Sequence, residues 1–202
     1  MKKIIYTVVF LLLGVSLMAN NEESLPYPEA DFIGEVYVIE NDSVFLLEKQ
    51  RTRIHAQASA TMYIFGIGDI KSSLKVANRC SSTRVKEGKK IKLLVRAQNN
   101  EMDPMTVLSL FRFEQKKKQR AAVITKAGTF SGVSTGLEGH ILFTAKRYGK
   151  SSYILEVSEM EDGEYGIMIN GTVGPDGLIN VSTLGVGDCD ANSKAAKNKK
   201  KK

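Results

Sequence analysis

The chain offers a handful of residue groupings whose types and spacing belong to known chemistry. Gly132-Val133-Ser134-Thr135-Gly136 matches G-x-S-x-G, the elbow that lifts a serine at a strand-to-helix turn beside an oxyanion hole. Here the chain runs on through Leu137, Glu138 and Gly139 into the alternating stretch from His140 to Ala145, which is a strand pattern. With no helix to follow and only His55 and His140 to act as base, the segment is expected to be a Gly/Ser/Thr loop. The two histidines are too few for zinc, which takes three protein ligands in catalytic sites and four in structural ones. They are expected on strands or at the surface. Glu159, Glu161, Asp162 and Glu164 supply the oxygens that calcium prefers, yet the D-x-D-x-D-G loop is missing and a solvated turn is expected instead. No catalytic residue, cofactor or metal ligand is assigned. A carboxylate pair for glycoside chemistry depends on a separation in space and stays open.

Charge narrows the partners. The 202 residues carry a formal net charge of +7, but two Lys fall within the first three residues and six within the last nine. Between residues 20 and 189 there are 21 Lys+Arg against 21 Asp+Glu, so the body of the chain lacks the basic footprint of a nucleic-acid binder. Lys116, Lys117, Lys118 and Arg120 are candidate contacts for an anionic surface such as lipid, lipopolysaccharide or polysaccharide. The competing expectation is a solvated hairpin tip, with a disordered Lys-rich tail over 190–202 that has no large apolar residue to hold it.

The elements that would position these residues read as strands. Two apolar runs, 35–39 and 43–47, flank the polar turn Asn41-Asp42, which predicts a hairpin. Further strands are expected over 53–58, 61–65, 74–77, 91–97, 106–113, 121–126, 141–145, 153–157, 165–170 and 178–182. Ile91, Leu93 and Val95 alternate with Lys92 and Arg96, and Tyr165, Ile167 and Ile169 share a face in the same way. No βαβ spacing occurs, so an all-β antiparallel sandwich or barrel is expected. In Met160-Glu161-Asp162-Gly163-Glu164-Tyr165 an acidic Gly turn leads into a tyrosine at a strand start, which resembles the tyrosine corner of immunoglobulin-like sandwiches. The fold expected is therefore an Ig-like β-sandwich over 32–189, with a hairpin region at 32–65 and a core at 71–187.

Gly163-Glu164-Tyr165-Gly166 after its acidic turn also resembles an element near the end of uncharacterised exported β-sandwich proteins of Bacteroides-type bacteria. The resemblance implies export and a sandwich fold, and it brings no site residues. Asp42-Ser43-Val44 resembles the short Asp-Ser/Thr-apolar acceptor of O-glycosylation in such exported proteins, which makes Ser43 a candidate site.

The N-terminus supports the same compartment. Lys2 and Lys3 precede an apolar run over 4–17 that ends at Met18-Ala19, the pattern of a signal peptide over 1–19, followed by an extended leader over 20–31. The run is short for a membrane span, and no later segment is long enough. Export to periplasm, cell surface or medium would bring Cys80 and Cys189 into an oxidising compartment. If paired, they close a loop of more than 100 residues, worth about 4 to 5 kcal/mol by chain entropy; two separate thiols are the alternative. The function expected is a non-enzymatic exported β-sandwich for binding or cell-envelope structure. The alternative is a glycan-acting hydrolase working through carboxylates that the sequence does not identify.

Overall fold

The computed structural model describes residues 25–86, 89–130 and 132–189. The expected signal peptide, the start of the leader and the Lys-rich tail lie outside the described residues. In chain order the strands are β1 (Val36–Glu40), β2 (Ser43–Leu46), β3 (Glu48–Thr52), β4 (Ile54–Ala58), β5 (Asp69–Ala77), β6 (Arg84–Val85) and β7 (Lys89–Arg96). They continue with β8 (Leu108–Gln115), β9 (Gln119–Gly128), β10 (Gly132–Thr135), β11 (Thr144–Tyr148), β12 (Ser152–Glu159), β13 (Gly163–Ile169) and β14 (Ile179–Val186). Two short helices, α1 (Ala60–Phe65) and α2 (Pro104–Val107), interrupt them.

These strands form an all-β, sandwich-like fold. One sheet has the order β11-β12-β7-β1-β2. The other runs β3-β14-β13-β8-β9-β5-β4, with β10 added to β9 and the short parallel β6 to β14, and it curls into a half-barrel. The predicted hairpin is present: Asn41 and Asp42 turn at φ 49° and 59°, and Glu40 pairs with Ser43. Its first strand lies inside the five-stranded sheet between β2 and β7, where Val38 pairs with Leu93 of β7.

Alternation decides what is buried. Leu93 and Val95 of β7, Leu155 of β12, Leu110 of β8 and Ile167 of β13 meet between the sheets. Each such side chain contributes very roughly 1.5 to 3 kcal/mol when removed from water. The second sheet is buried on both faces at its centre, because Phe111 and Phe113 of β8 point away from Leu110 into the curl, where they join Leu74, Val76 and Val181. Their rings meet edge to face at 5.1 Å. Gly166 lies against them, and a Cβ there would sit 2.5 Å from the Phe111 ring; one glycine of the quoted motif is thus required by packing. The tyrosine corner is formed as well, with the Tyr165 hydroxyl donating to the Glu161 carbonyl at 2.7 Å.

Four segments depart from expectation for physical reasons. Residues 61–65 form α1 rather than a strand: Ser59 N–H donates to the Asp69 carbonyl, and Gly66, at φ 69°, caps the helix by donating to Met62. Turn chemistry at both ends thus overrides the β-propensity of Tyr63, Ile64 and Phe65, which have no strand to pair with. Residues 141–145 do not form one strand, because Ile141 still bonds to Leu110 of the second sheet while Thr144 already pairs with Glu156 of the first. The stretch is a crossing between sheets that leaves Phe143 in the core. Strand β3 was hidden by its charged composition, although Glu48, Gln50 and Thr52 alternate with Lys49 and Arg51 along β14. The leader is not merely extended. Tyr27 and the Tyr148 hydroxyl exchange two hydrogen bonds, and Glu29 accepts from the Lys150 and Ser151 amides and the Ser152 hydroxyl while pairing with Arg96 at 3.1 Å.

Candidate functional site

Most sequence motifs are dispersed by the fold. Ser134 lies on β10, an edge strand exposed throughout, opposite Lys126. His55 faces Ser73 within β4 and β5, whereas His140 bridges to Phe111 of β8. Among the described residues no group of three or more His, Cys, Asp or Glu is placed to hold a metal, and no helix is long and apolar enough to cross a membrane. Ser43 is exposed at the β1–β2 turn. Lys116, Lys117 and Lys118 form the exposed β8–β9 turn, with Lys116 paired to Glu114. Two expectations need correction. Arg120 is fully buried and cannot touch an external surface, and Glu164, expected in a solvated turn, is fully buried against it.

Those two residues anchor a polar network at the start of β9. Glu164 of β13 accepts from the Ser81 amide at 2.7 Å, from Arg120 at 3.3 Å and from Arg84 of β6. Arg120 also donates to the Asn78 and Ala77 carbonyls and lies 5.9 Å from the centre of the Phe113 ring. Glu48 of β3 closes the network, accepting from the Ser82 amide and from Thr183 at 3.0 Å, with Arg120 Nη2 at 3.5 Å. Burial pushes the Glu48 carboxyl up, but donors from Ser82, Gln50, Thr183 and Arg120 outweigh it and hold the group below its ordinary value. Gly185 makes room for Arg84, since a Cβ there would lie 2.2 Å from the guanidinium. Next to the network Cys80 and Cys189 are joined in a disulfide, with Cα atoms 5.8 Å apart. It ties the segment after β5 to the segment just beyond β14.

A cleft of about 510 Å³ opens where β8 and β9 part. The two strands pair only at Glu114–Ala121 and Gln115–Arg120. Further along, residues 136–141 fill the gap, Glu138 bonding to Val123 of β9 and Gly139 to Arg112 of β8. Glu114 and Glu138 are the carboxylates on its walls, beside Arg79 and Arg112. Arg112 is engaged by Glu161 at 2.5 Å and by the Asp162 carbonyl. Charged groups of both signs thus stand on its walls, with Phe113, Ala121, Ala122 and Val123 lining the rest.

The other end of β9 has the opposite character. The order β10-β9-β5-β4 makes a four-stranded arm in which residues 54–58, 69–73, 123–128 and 132–135 include none that is buried. Its two turns meet, Gly68 N–H donating to the Thr129 hydroxyl and Thr129 N–H to the Gly68 carbonyl. On this joined tip Tyr63, Ile64 and Phe65 of α1 are 71 to 78% exposed and Phe130 is 87% exposed. Exposed apolar side chains gathered on one tip are a common feature of contact surfaces. These residues were missed in the sequence, where 61–65 read as a strand; the available signal was the bracketing of each aromatic by turn residues, Ser59 and Gly66 on one side, Gly128 and Gly132 on the other. No family model matches this chain, and no curated protein is similar to it.

Proposed function

We propose that the protein is an exported, non-enzymatic β-sandwich that works by binding, with the apolar tip of the four-stranded arm as its contact surface. The observation that carries this reading is the exposure of Tyr63, Ile64, Phe65 and Phe130 together on one joined tip. Leaving such side chains in water forfeits roughly 25 cal/mol per Å², and a partner recovers that free energy. Export is supported by the basic and apolar N-terminal pattern and by the disulfide, which belongs to oxidising compartments. A hydrolase of glycans is the second reading, favoured by the cleft that places Glu114 and Glu138 on its walls.

A direct comparison tests the pair. Phe65→Ser with Phe130→Ser is expected to lower retention of the mature protein on a total envelope fraction, and chromogenic glycosides are expected to show no turnover. Turnover lost in Glu138→Gln or Glu114→Gln, with retention unchanged in the tip variant, would reverse the order of the two readings.

A further inference from the structure

The arm arranges its side chains in rows that differ sharply in character. The row at the tip end is Asp69–Gly128–Gly132 across β5, β9 and β10, and the next, Ala58–Ile70–Ala127–Val133 across β4, β5, β9 and β10, is apolar throughout. One residue further from the tip the row is Gln57–Lys71–Lys126–Ser134, pointing to the other face because side chains alternate along a strand. Lys71 and Lys126 are therefore direct cross-strand partners. Like charges placed so weaken a sheet, and neither lysine makes an ion pair among the described residues. Over 54–73 and 123–137 the only acidic residue is Asp69, which shares the lysine face two positions along β5 without an ion pair to either lysine among the described residues. An external anion would supply the two lysines with the contact they lack.

From this arrangement we infer that the arm tip inserts into the surface of an anionic phospholipid bilayer. The inference rests on the binding reading above and names its partner. Tyr63, Phe65 and Phe130 occupy the boundary between headgroups and acyl chains, where aromatic side chains are favoured, and Lys71 and Lys126 meet the lipid phosphates. The spacing suits this depth: Lys71 lies two residues inside the end of β5, about 7 Å at ~3.3 Å per residue, against a typical burial of about 5 to 10 Å for interfacial apolar groups. A second copy of the chain fits worse, because tip-to-tip docking would bring four lysines together, and the three aromatic side chains, at roughly 450 to 750 Å², do not reach the about 800 Å² per partner of a standard interface. The lysines at 116–118 take no part, because they sit at the opposite end of β9, whose ten residues span roughly 33 Å.

Flotation of the mature protein with phosphatidylcholine vesicles, with and without about 30% phosphatidylglycerol, tests this. A form ending at Cys189 removes the tail lysines from consideration. That form is expected to bind the anionic vesicles at least tenfold better than the neutral ones, less so as salt rises. Phe65→Ser with Phe130→Ser should lower binding at least tenfold, Lys71→Gln with Lys126→Gln should remove the preference for anionic lipid, and Lys117→Gln with Lys118→Gln should change nothing. The chain has no Trp, so Tyr63→Trp supplies a single reporter whose emission should shift to the blue on anionic vesicles. Equal binding by the tip variant, or no emission shift, overturns the inference. Tip-dependent self-association in sedimentation without vesicle binding also overturns it, in favour of a second copy, and leaves the binding reading standing. Glycoside turnover that depends on Glu138 would instead remove the binding reading itself.

Discussion

The two ends of β9 invert the usual distribution of side chains. At its start Arg120 is wholly buried with Glu164, roofed by Phe113 and tied beside the Cys80–Cys189 disulfide. Beyond its finish Phe130 stands in water with Tyr63, Ile64 and Phe65. Burying an ion costs free energy unless it is paired, and exposing an aromatic ring forfeits its burial. The first departure is compensated inside the molecule, since Arg120 and Glu164 satisfy each other and the neighbouring backbone. The second has no internal compensation. One end of the strand therefore serves as a root and the other as a contact surface, and the two respond differently to perturbation.

The largest effects belong to the root. Cys80→Ser with Cys189→Ser opens a loop with a sequence separation of 109 and should cost about 4 to 5 kcal/mol in denaturant unfolding. If the ends act independently, the folded fraction should keep its vesicle binding. Glu164→Gln leaves Arg120 and Arg84 without their shared carboxylate and should cost about 3 to 4 kcal/mol, towards the lower part of the range for breaking a buried pair because Glu48 still faces Arg120. A cost below about 1 kcal/mol would show that the network is not what fixes the root.

Smaller effects sharpen the contrast. Tyr165→Phe removes only the hydroxyl bond to Glu161 and should cost about 1 kcal/mol, read from the denaturation midpoint. Stability should also fall in acid. At Glu29, as at Glu48, burial raises the carboxyl pKa but hydrogen bonds and a neighbouring arginine outweigh it, so both groups lie below the ordinary 4.5. Just under that value the unfolded chain takes up protons that the folded chain does not, so their contribution is whole above about pH 5 and is lost as pH falls through the folded pKa. Melting temperatures of Glu29→Gln and Glu48→Gln should accordingly converge on the parent value as the pH is lowered. Least of all, Phe65→Ser and Phe130→Ser should shift stability by no more than about 0.5 kcal/mol. A loss of several kcal/mol there would mean that the tip is packed after all, and the comparison would collapse.

Local patterns were legible wherever both partners of an interaction lie close in the chain. The Asn41-Asp42 turn, the alternation of Ile91, Leu93 and Val95, and the Tyr165 corner each depend on a few consecutive residues, and each is present in the fold. Charge patterns were misread for the same reason. Arg120 followed three surface lysines and Glu164 sat in an acidic turn, but alternation along β9 and β13 turns both side chains into one interior, where residues 44 positions apart meet.

The sequence by itself determined the class of fold, the rhythm of the apolar strands such as β7 and β13, and the Asn41-Asp42 turn, because hydrophobic periodicity and turn chemistry are local. Only the tertiary structure decided which strands share a sheet, that residues 61–65 form a helix at the tip of an arm, and that Phe130 joins them there. Pairing across more than 60 residues depends on which surfaces remain uncovered once the chain has closed on itself, and exposure is a property of the finished shape that no residue carries alone.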